Sequence, residues 1–414
     1  MTDQVLIVGA GQAGMQVAVS LRELDFKGGI TIVGEEPYAP YQRPPLSKAF
    51  LAGDAGIESL EFRSPDFYTA NDITVVTGEK IIDVSIANGK GVAHGSSGRA
   101  HHFDRLVIAP GSAPRRLNID GSELDGVLYL RSIADAQALK SRWVEAKNVV
   151  VVGGGFIGLE VAAQATKAGK RATVLEAADR LIARAVSPLT SEYLRAAHER
   201  RGTSVRLSAS IGAFEGANGK VSGVRLADGE LIPADIILVG IGVVARGELA
   251  EMLGLETSNG AIVVNEYAET SNPQVLAAGD AVLLPHPLGH GTQVRLESVQ
   301  NAVDQAKVVA STIAGERQAY HAVPWFWSDQ ADIKLQIAGL STGFDQTVLR
   351  GNPDHDKFSV LYYREGKLLA IDAVNDPSDY MAVRRALGAG AQIDPIAAAD
   401  PAVALKNLII SSDA

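Results

Sequence analysis

Two short glycine-rich segments constrain the fold more than any other feature of this sequence. Each follows a run of β-branched residues and leads into a helical pattern and a second β-branched run. A glutamate stands just after that second run, Glu35 in one case and Glu176 in the other. Both segments therefore predict a βαβ unit with a turn of bare backbone between strand and helix. We call residues 9–14 (Gly9, Gly11, Gly14) the first glycine turn and residues 153–158 (Gly153, Gly155, Gly158) the second glycine turn.

A glycine turn at a helix N-terminus binds phosphate, because its backbone N–H groups are accessible and the helix dipole favours negative charge. The glutamate at the end of the next strand accepts hydrogen bonds from ribose hydroxyls. A single turn of this kind often reflects tight packing alone, but here a strand, a helix and an acid accompany both turns. The sequence therefore predicts two dinucleotides bound at once, which suits a flavin that is reduced by a nicotinamide.

Size, charge and hydropathy limit the classes of function. A chain of 414 residues with 46% hydrophobic residues is expected to form two or three globular domains. The net charge of −10 argues against a nucleic-acid surface, and no stretch is apolar over the roughly 18 residues that a membrane span needs. The first predicted strand is under way by Val5, which leaves no room for a signal peptide. We expect a cytoplasmic enzyme that binds neither nucleic acid nor membrane.

The sequence contains no cysteine. It therefore has no redox dithiol, no cysteine that could form a sulfenate and no cysteine ligands for an iron–sulfur cluster. The eight histidines show no metal-ligand spacing: His101 and His102 are expected in a polar loop, and His286 and His290 in a loop rich in Pro and Gly, all as solvated loop residues. We expect no metal site, and electrons that leave a bound flavin must pass to a molecule outside the chain.

The expected fold class is α/β, with two Rossmann-like dinucleotide-binding domains, for FAD and NAD, and a C-terminal α+β domain. Strand-and-turn patterns at 106–111 and 236–242 predict the ends of the two dinucleotide-binding domains. From about residue 320 the pattern predicts strands, and then a helix around 380–387. The expected boundaries are 1–110 with 245–320 for a discontinuous FAD-binding domain, 111–244 for the NAD-binding domain and 321–414 for the C-terminal domain.

Four further motifs accompany the glycine turns. Gly279-Asp280 follows a predicted strand, where the carboxylate is well placed to bond the ribityl chain of a flavin, although alone this motif is as often a simple turn. The others are Tyr-Gln-Arg-Pro-Pro-Leu-Ser-Lys at 41–48, Arg-Leu-Glu-Ser-Val-Gln-Asn-Ala at 295–302 and Trp-Phe-Trp-Ser-Asp-Gln at 325–330. With them the sequence resembles, over essentially its whole length, the flavoproteins with two dinucleotide-binding domains. Within that group it is most similar to the NADH-dependent ferredoxin reductases of cytochrome P-450 and aromatic dioxygenase systems.

The resemblance implies FAD at the first glycine turn and NADH at the second. It also implies an external [2Fe-2S] ferredoxin as electron acceptor, which in turn feeds a cytochrome P-450 or a dioxygenase. The choice between a monomer and a weak homodimer stays open. Besides the glycines, the implied FAD contacts are Ala13, Glu35, Arg43, Lys48, Ile81, Arg131, Asp280, Val299 and Trp327. The implied NADH contacts, besides the glycines of the second turn, are Ile157, Glu176, Arg184, Gly242 and Glu297.

Three residues are implied to act at the redox centre. Lys48 would place an ammonium near flavin N5, with Glu160 as its carboxylate partner, whereas Lys48 taken alone would be interpreted as a solvated surface lysine. Trp327 would stack over the isoalloxazine and offer an exit route for electrons, although such a tryptophan is also an ordinary core or interface residue. The helix near Val299 would direct its N-terminal dipole at the flavin pyrimidine.

Glu176 also predicts which nicotinamide cofactor is used, because its charge would repel the 2′-phosphate of NADPH. Arg180 and Arg184 stand nearby and would weaken this preference if they met that phosphate. We favour contacts with the pyrophosphate, or surface ion pairs, for these two arginines. The expected cofactors are therefore FAD and NADH.

The sequence departs from the family pattern in three places. Pro110 lies in a turn where the family has Thr, Ala245-Arg246 replaces Pro-Asn, and Ala331 replaces an aromatic residue. The last two are expected to affect domain docking or partner contact. A cationic rim that would steer an acidic ferredoxin is predicted from Lys307, Arg63 and Arg295.

Two alternative functions stay open at this point. One is an NADH oxidase or quinone reductase, although Trp327 and the lack of cysteine favour a protein acceptor. The other is an NADH-responsive binding protein resembling apoptosis-inducing factor, which changes its oligomeric state. Proteins of that kind usually carry long targeting and regulatory segments, and none is recognisable in this sequence.

Overall fold

A computed structural model describes residues 3–289 and 291–411, so that His290 lies outside the described residues. The chain divides into two compact units, each assembled from separate parts of the sequence. The first unit holds the described residues up to Gln42, with Glu58–Ala113 and Val244–Pro324. The second unit holds Arg43–Ile57, Pro114–Val243 and the described residues from Trp325 onward. The domain boundaries given above stay a prediction.

A five-stranded parallel sheet lies at the centre of the first unit. Its central strand, Gln4–Val8, is buried from Val5 onward, as expected for a strand that is covered on both faces. The first glycine turn connects this strand to helix Gln12–Glu23, which packs against helix Val299–Ala314. The order of the strands across the sheet is Val275–Ala277, Arg105–Ile108, Gln4–Val8, Gly29–Val33 and Ile73–Val76.

The second unit contains another five-stranded parallel sheet with a related arrangement. The strand before the second glycine turn, Asn148–Val152, is again central, and it leads into helix Phe156–Lys167. The strand after that helix, Arg171–Leu175, pairs directly with the central strand, which closes the predicted βαβ unit. The order across the sheet is Thr203–Arg206, Arg171–Leu175, Asn148–Val152, Ile236–Val239 and Val127–Leu128.

The C-terminal part of the second unit is an antiparallel sheet of five strands. Helix Pro377–Gly388 packs against it. The two Rossmann-like folds and this α+β region confirm the predicted fold class. The order across the sheet is Trp325–Gln330, Ile333–Gly339, Lys367–Val374, Lys357–Arg364 and Gln346–Asn352.

Smaller elements complete both units, and no described helix combines the length and apolar character that a membrane span requires. Small strands are Ile81–Ala87, Lys90–Gly95, Ala100–Phe103, Ser112–Pro114, Ile211–Ala217, Lys220–Leu226, Leu231–Pro233, Val243–Ala245, Thr257–Ser258, Ala261–Val263, Val282–Pro285, Gln293–Val294, Gln392–Ile393 and Ile409–Ile410. The other α-helices are Ala49–Ala52, Pro65–Ala70, Ile133–Trp143, Pro188–Arg200, Glu248–Met252 and Pro395–Ala398, and the 3₁₀ turns are Pro44–Ser47, Glu58–Leu60, Pro287–Gly289, Pro353–His355 and Leu405–Asn407.

Candidate functional site

The first glycine of each turn is required by the backbone. Gly9 and Gly153 have positive φ angles of +123° and +106°, which side chains disfavour. A Cβ on Gly9 would lie 2.0 Å from the carbonyl oxygen of Ala109. The same atom on Gly153 would lie 2.4 Å from the carbonyl oxygen of Gly240. In both units the turn thus passes directly over the neighbouring strand end, and only glycine fits.

The middle glycine of each turn has a different environment. A Cβ on Gly11 or on Gly155 would meet no protein atom within 4 Å. Both residues are helix N-caps, neither helix has a side chain capping it, and neither has an acidic residue in its first turn. The helix N–H groups therefore face space that the protein does not fill. This is the geometry that accommodates a pyrophosphate, so the residues present fit a bound dinucleotide at both turns.

Glu176 stands at the edge of the second glycine turn. One carboxylate oxygen accepts a hydrogen bond from the backbone N–H of Gly154 at 2.6 Å, and the other accepts one from Ala178 at 2.8 Å. The guanidinium of Arg180 donates to the carbonyl oxygens of Ala183 and Val186 in its own loop. The second turn thus presents a negative charge beside the place where a ribose would lie.

Glu35, the corresponding residue of the first unit, has different partners. Its carboxylate forms an ion pair with Arg246 at 2.8 Å and lies 4.0 Å from the ammonium of Lys80. Arg246 is one of the residues that depart from the family pattern, and sequence reasoning gave it no role at this position. The structure therefore places a positive charge beside the glutamate predicted to bind the FAD ribose.

Asp280 lies beyond strand Val275–Ala277, at the carboxyl edge of the first sheet. Its carboxylate accepts a hydrogen bond from the buried hydroxyl of Ser112 at 3.1 Å. Helix Val299–Ala314 begins directly after Ser298, whose side chain accepts the N–H of Asn301 and caps the helix. The predicted FAD contacts in the first unit are Gly9, Gly11, Ala13, Gly14, Glu35, Ile81, Asp280 and Val299.

The remaining predicted FAD contacts belong to the second unit. Arg43 donates to the carbonyl oxygen of Arg131 at 2.5 Å, so these two residues are neighbours. Trp327 lies on strand Trp325–Gln330, with its ring centroid 5.6 Å from that of Trp325. Lys48 follows the 3₁₀ turn Pro44–Ser47.

Lys48 belongs to a charged cluster inside the second unit. Its ammonium lies 2.7 Å from Oε2 of Glu160, which is buried on helix Phe156–Lys167. Two serines also donate to this carboxylate: Ser47 to Oε2 at 2.5 Å and Ser328 to Oε1 at 2.7 Å. The strand that carries Ser328 packs on this helix, where the ring of Phe156 contacts that of Phe326 at a centroid distance of 4.5 Å. Glu160 therefore has three donors on two oxygens, and its charge is balanced by one cation.

Most of the predicted NADH contacts lie in the second unit around the second glycine turn. Ile157, at the start of the helix, is 41% exposed, so it leaves an apolar surface beside the turn. Arg184 lies next to Gly242, because a Cβ on Gly242 would be 3.6 Å from the guanidinium of Arg184. Glu297 is in the first unit and forms an ion pair with Arg295.

The three cations of the predicted ferredoxin rim all have partners within the first unit. Lys307 pairs with Asp304 at 3.1 Å, and Arg295 donates to the carbonyl oxygen of Asp280 at 3.1 Å in addition to its pair with Glu297. The Arg63 guanidinium lies over the ring of Phe67. Across residues 3–289 and 291–411, no group of three or more His, Cys, Asp or Glu side chains is arranged to hold a metal ion.

Two nucleotide-binding folds in one chain, each with a glycine turn that leaves room for a pyrophosphate, define the class of flavin- and pyridine-nucleotide-dependent oxidoreductases. The family model for pyridine nucleotide-disulphide oxidoreductases matches residues 3–306, and a reductase C-terminal model matches residues 325–409. The chain belongs to the pyridine nucleotide-disulphide oxidoreductase family. FAD and a pyridine nucleotide are the cofactors of this family. Because the chain has no cysteine, it cannot itself supply the disulphide of the family's name.

Proteins with similar sequences align with nearly the whole chain. Rhodocoxin reductase of Rhodococcus erythropolis is 44% identical over 405 residues, which cover 98% of this chain and 94% of that protein. The ferredoxin reductase for the CYP199A2 system of Rhodopseudomonas palustris has a solved structure with a TM-score of 0.94 and 40% identity, covering 98% of this chain and 99% of that one. Putidaredoxin reductase, solved in a covalent complex with putidaredoxin, has a TM-score of 0.94 and 37% identity, covering 98% of each chain.

These findings confirm the resemblance to ferredoxin reductases and the prediction of FAD with a pyridine nucleotide. The roles of individual residues stay predictions. Sequence reasoning missed Ser47, Ser328 and Arg246, which the structure places against predicted site residues. The two serines stand inside motifs quoted for the resemblance, and polar residues at alternate positions of a strand were the available signal for Ser328.

Proposed function

We propose that this chain is an NADH-dependent reductase that transfers electrons through FAD to an external [2Fe-2S] ferredoxin, which feeds a cytochrome P-450 or a ring-hydroxylating dioxygenase. The observation that carries the proposal is the pair of glycine turns with unfilled space at Gly11 and Gly155, in a chain without cysteine. Such a chain can hold both nucleotides, yet it has no thiol to receive the electrons. Relatives named rhodocoxin reductase and ferredoxin reductase support a ferredoxin as the acceptor.

FAD would be held in the first unit by the first glycine turn, with Glu35 at the adenosine ribose and Asp280 at the ribityl chain. When bound, FAD supplies the conversion between a two-electron hydride donor and single-electron acceptors. The N-terminus of helix Val299–Ala314 would contribute its dipole to the stabilisation of negative charge. The contacts assigned to Arg43, Lys48, Arg131 and Trp327 come from the resemblance and stay predictions.

NADH would be held in the second unit by the second glycine turn and by Glu176. The Glu176 carboxylate favours NADH, because a 2′-phosphate beside it would meet a like charge. The loop contacts of Arg180 support the same preference, since that guanidinium already donates to two carbonyl oxygens. Arg184, next to Gly242, would be the cation available to the pyrophosphate.

Lys48 and Glu160 would act through position and charge. A buried carboxylate with three donors holds the Lys48 ammonium in one place, where it supplies a fixed positive field. No side chain is required to transfer a proton in the hydride step. The buried pair therefore contributes electrostatics and orientation, whereas the bound nucleotides contribute the chemistry.

The test is the reduction of cytochrome c by NADH, with and without added [2Fe-2S] ferredoxins. Strong stimulation by a ferredoxin is expected, with FAD bound to the purified protein. Flavin that is reoxidised by oxygen or a quinone as fast as by any ferredoxin would favour the oxidase or quinone reductase. A change of elution volume with NADH in size-exclusion chromatography would favour the binding protein instead. The cytoplasmic location, the monomer or weak homodimer and the ferredoxin rim stay predictions.

A further inference from the structure

A continuous row of hydrogen bonds within the second unit leads from a buried histidine to the carboxylate of Glu160. His198 Nε2 lies 2.8 Å from Oε1 of Gln330. The amide nitrogen of Gln330 lies 3.2 Å from the hydroxyl of Ser328, which lies 2.7 Å from Oε1 of Glu160. All four residues are at most 4% exposed. The row therefore forms an interior network without access for water to compete.

The direction of every hydrogen bond in this row follows from its carboxylate end. Glu160 is paired with Lys48 and, as a carboxylate, can only accept, so the Ser328 hydroxyl donates to it. The Ser328 oxygen then accepts from the amide nitrogen of Gln330, and the Gln330 carbonyl is left to accept from His198. Burial lowers the pKa of His198, so its ring is neutral and this network assigns its one N–H to Nε2.

The row consists of polar side chains in the interior of the second unit, where apolar side chains are more common. Ser328 and Gln330 occupy alternate positions of strand Trp325–Gln330 and lie on its buried face, where apolar side chains would be the usual choice. Buried polar side chains do not add stability over well-packed apolar ones, but a fully satisfied network fixes a single arrangement. The row joins helix Pro188–Arg200, this strand and helix Phe156–Lys167 at one carboxylate. Its consequence is therefore a defined orientation for Glu160.

We propose that Ser328, Gln330 and His198 are positioning residues that hold Glu160 in one orientation and thereby fix the Lys48 ammonium. Ser328 donates a hydrogen bond to Oε1 of the Glu160 carboxylate, while Lys48 and Ser47 donate to Oε2. The carboxylate then cannot rotate without losing a donor. This inference rests on the proposed function, in which Lys48 acts on the bound FAD.

The test compares Ser328→Ala, Lys48→Met and the double variant by two measurements on the FAD-loaded protein. The first is the midpoint potential of FAD in a dithionite titration, and the second is the single-turnover rate of FAD reduction by NADH. We expect Ser328→Ala to lower the potential and to slow reduction about three- to tenfold, because a displaced ammonium stabilises added negative charge less well. In the Lys48→Met background the serine substitution is expected to change neither quantity.

Two further variants keep the test decisive. Gln330→Met removes the middle of the row at similar volume and is expected to shift both quantities in the same direction as Ser328→Ala. Ser191→Ala is the matched control, since Ser191 is a buried serine on the helix of His198 whose hydroxyl donates to the carbonyl oxygen of Leu181. It is expected to change neither quantity.

Two outcomes would overturn the inference. One is a Ser328→Ala variant that matches Ser191→Ala in both measurements. The other is a serine effect that persists undiminished without Lys48, which would show a general packing defect. Failure of the proposed function is distinguishable, because it would appear in the unmodified protein as FAD that NADH does not reduce. The dithionite titration would still report the potentials of all variants in that case.

Discussion

Glu176 accepts a hydrogen bond from the backbone N–H of Gly154 at 2.6 Å, so its carboxylate is tied to the turn that would hold the NADH pyrophosphate. A ribose contact is made equally before and during hydride transfer, and its loss therefore weakens binding without slowing the chemical step. We expect Glu176→Ala to raise the KM for NADH by about tenfold or more while kcat changes little. Steady-state kinetics with NADH measures both. The control is Glu199→Ala, which removes a surface partner of Arg195 in the same unit and should leave the KM for NADH unchanged. An unchanged KM in Glu176→Ala would reject the assignment of Glu176 to the ribose.

Arg246 allows a second prediction about cofactor affinity. Its ion pair with Glu35 reduces the negative charge that a bound FAD pyrophosphate would otherwise meet nearby. Because the pair is partly exposed, the effect is modest: we expect Arg246→Ala to raise the dissociation constant of FAD about two- to fivefold. Fluorescence titration of the FAD-free protein measures it. Lys80→Ala is the control, because the Lys80 ammonium lies further from the Glu35 carboxylate, at 4.0 Å. If both substitutions raise the dissociation constant equally, the net charge and not the ion pair of Arg246 determines FAD affinity.

The glycine turns and their glutamates could be predicted from the sequence because the signals are local. A strand, a turn without side chains and a helix follow one another within a few residues, and each has its own pattern of apolar spacing. Gly9 and Gly153 could be assigned to strand ends in this way, and the structure places both there. The same reasoning predicted the βαβ unit that lies in each parallel sheet, in which the strand before the turn pairs with the strand after the helix.

The contacts around Glu160 could not be predicted in this way. Ser328 is far from Glu160 in the sequence, and alternation along a strand shows which residues share a face without showing what that face meets. Arg246 was visible only as a departure from a family pattern, because its contact with Glu35 depends on how two distant segments of the first unit approach each other. Lys48 and Glu160 were paired through the resemblance, and not through spacing.

Asp372 predicts how the stability of the second unit depends on pH. This fully buried carboxyl accepts hydrogen bonds from the backbone of Ser187 at 3.1 Å and from the hydroxyl of Tyr362, and burial raises its pKa from 3.8 to about 6. A raised folded-state pKa means that ionisation opposes folding. The native state therefore loses stability as pH rises from about 4 to about 6, and stays at that lower level above.

Asp372→Asn removes this titration, so its stability relative to the unmodified protein is expected to improve with rising pH. The free energy of unfolding of Asp372→Asn minus that of the unmodified protein is expected to increase by roughly 2 kcal/mol between pH 4.5 and 7.5, because the pKa of Asp372 is raised by about two units. Urea unfolding at both pH values measures it. Asp332→Asn is the control: the hydrogen bond from Arg201 lowers the pKa of Asp332 from 3.8, so this carboxyl is already ionised over this pH range and its removal is expected to give a difference that hardly changes with pH. A parallel pH dependence in Asp372→Asn and the unmodified protein would contradict the prediction.

Ala331 gives a prediction about backbone strain. It occupies the turn between strands Trp325–Gln330 and Ile333–Gly339 with a φ angle of +58°, in the left-handed region that alanine disfavours and glycine tolerates. We expect Ala331→Gly to raise the free energy of unfolding by about 1 kcal/mol, measured by urea unfolding at a fixed FAD concentration. The matched control is Ala399→Gly, because Ala399 is an exposed alanine with a φ angle of −69°. At position 399 glycine only adds conformational freedom to the unfolded chain, so the free energy of unfolding should fall. Equal changes in this free energy at positions 331 and 399 would show that backbone strain at Ala331 does not determine the result.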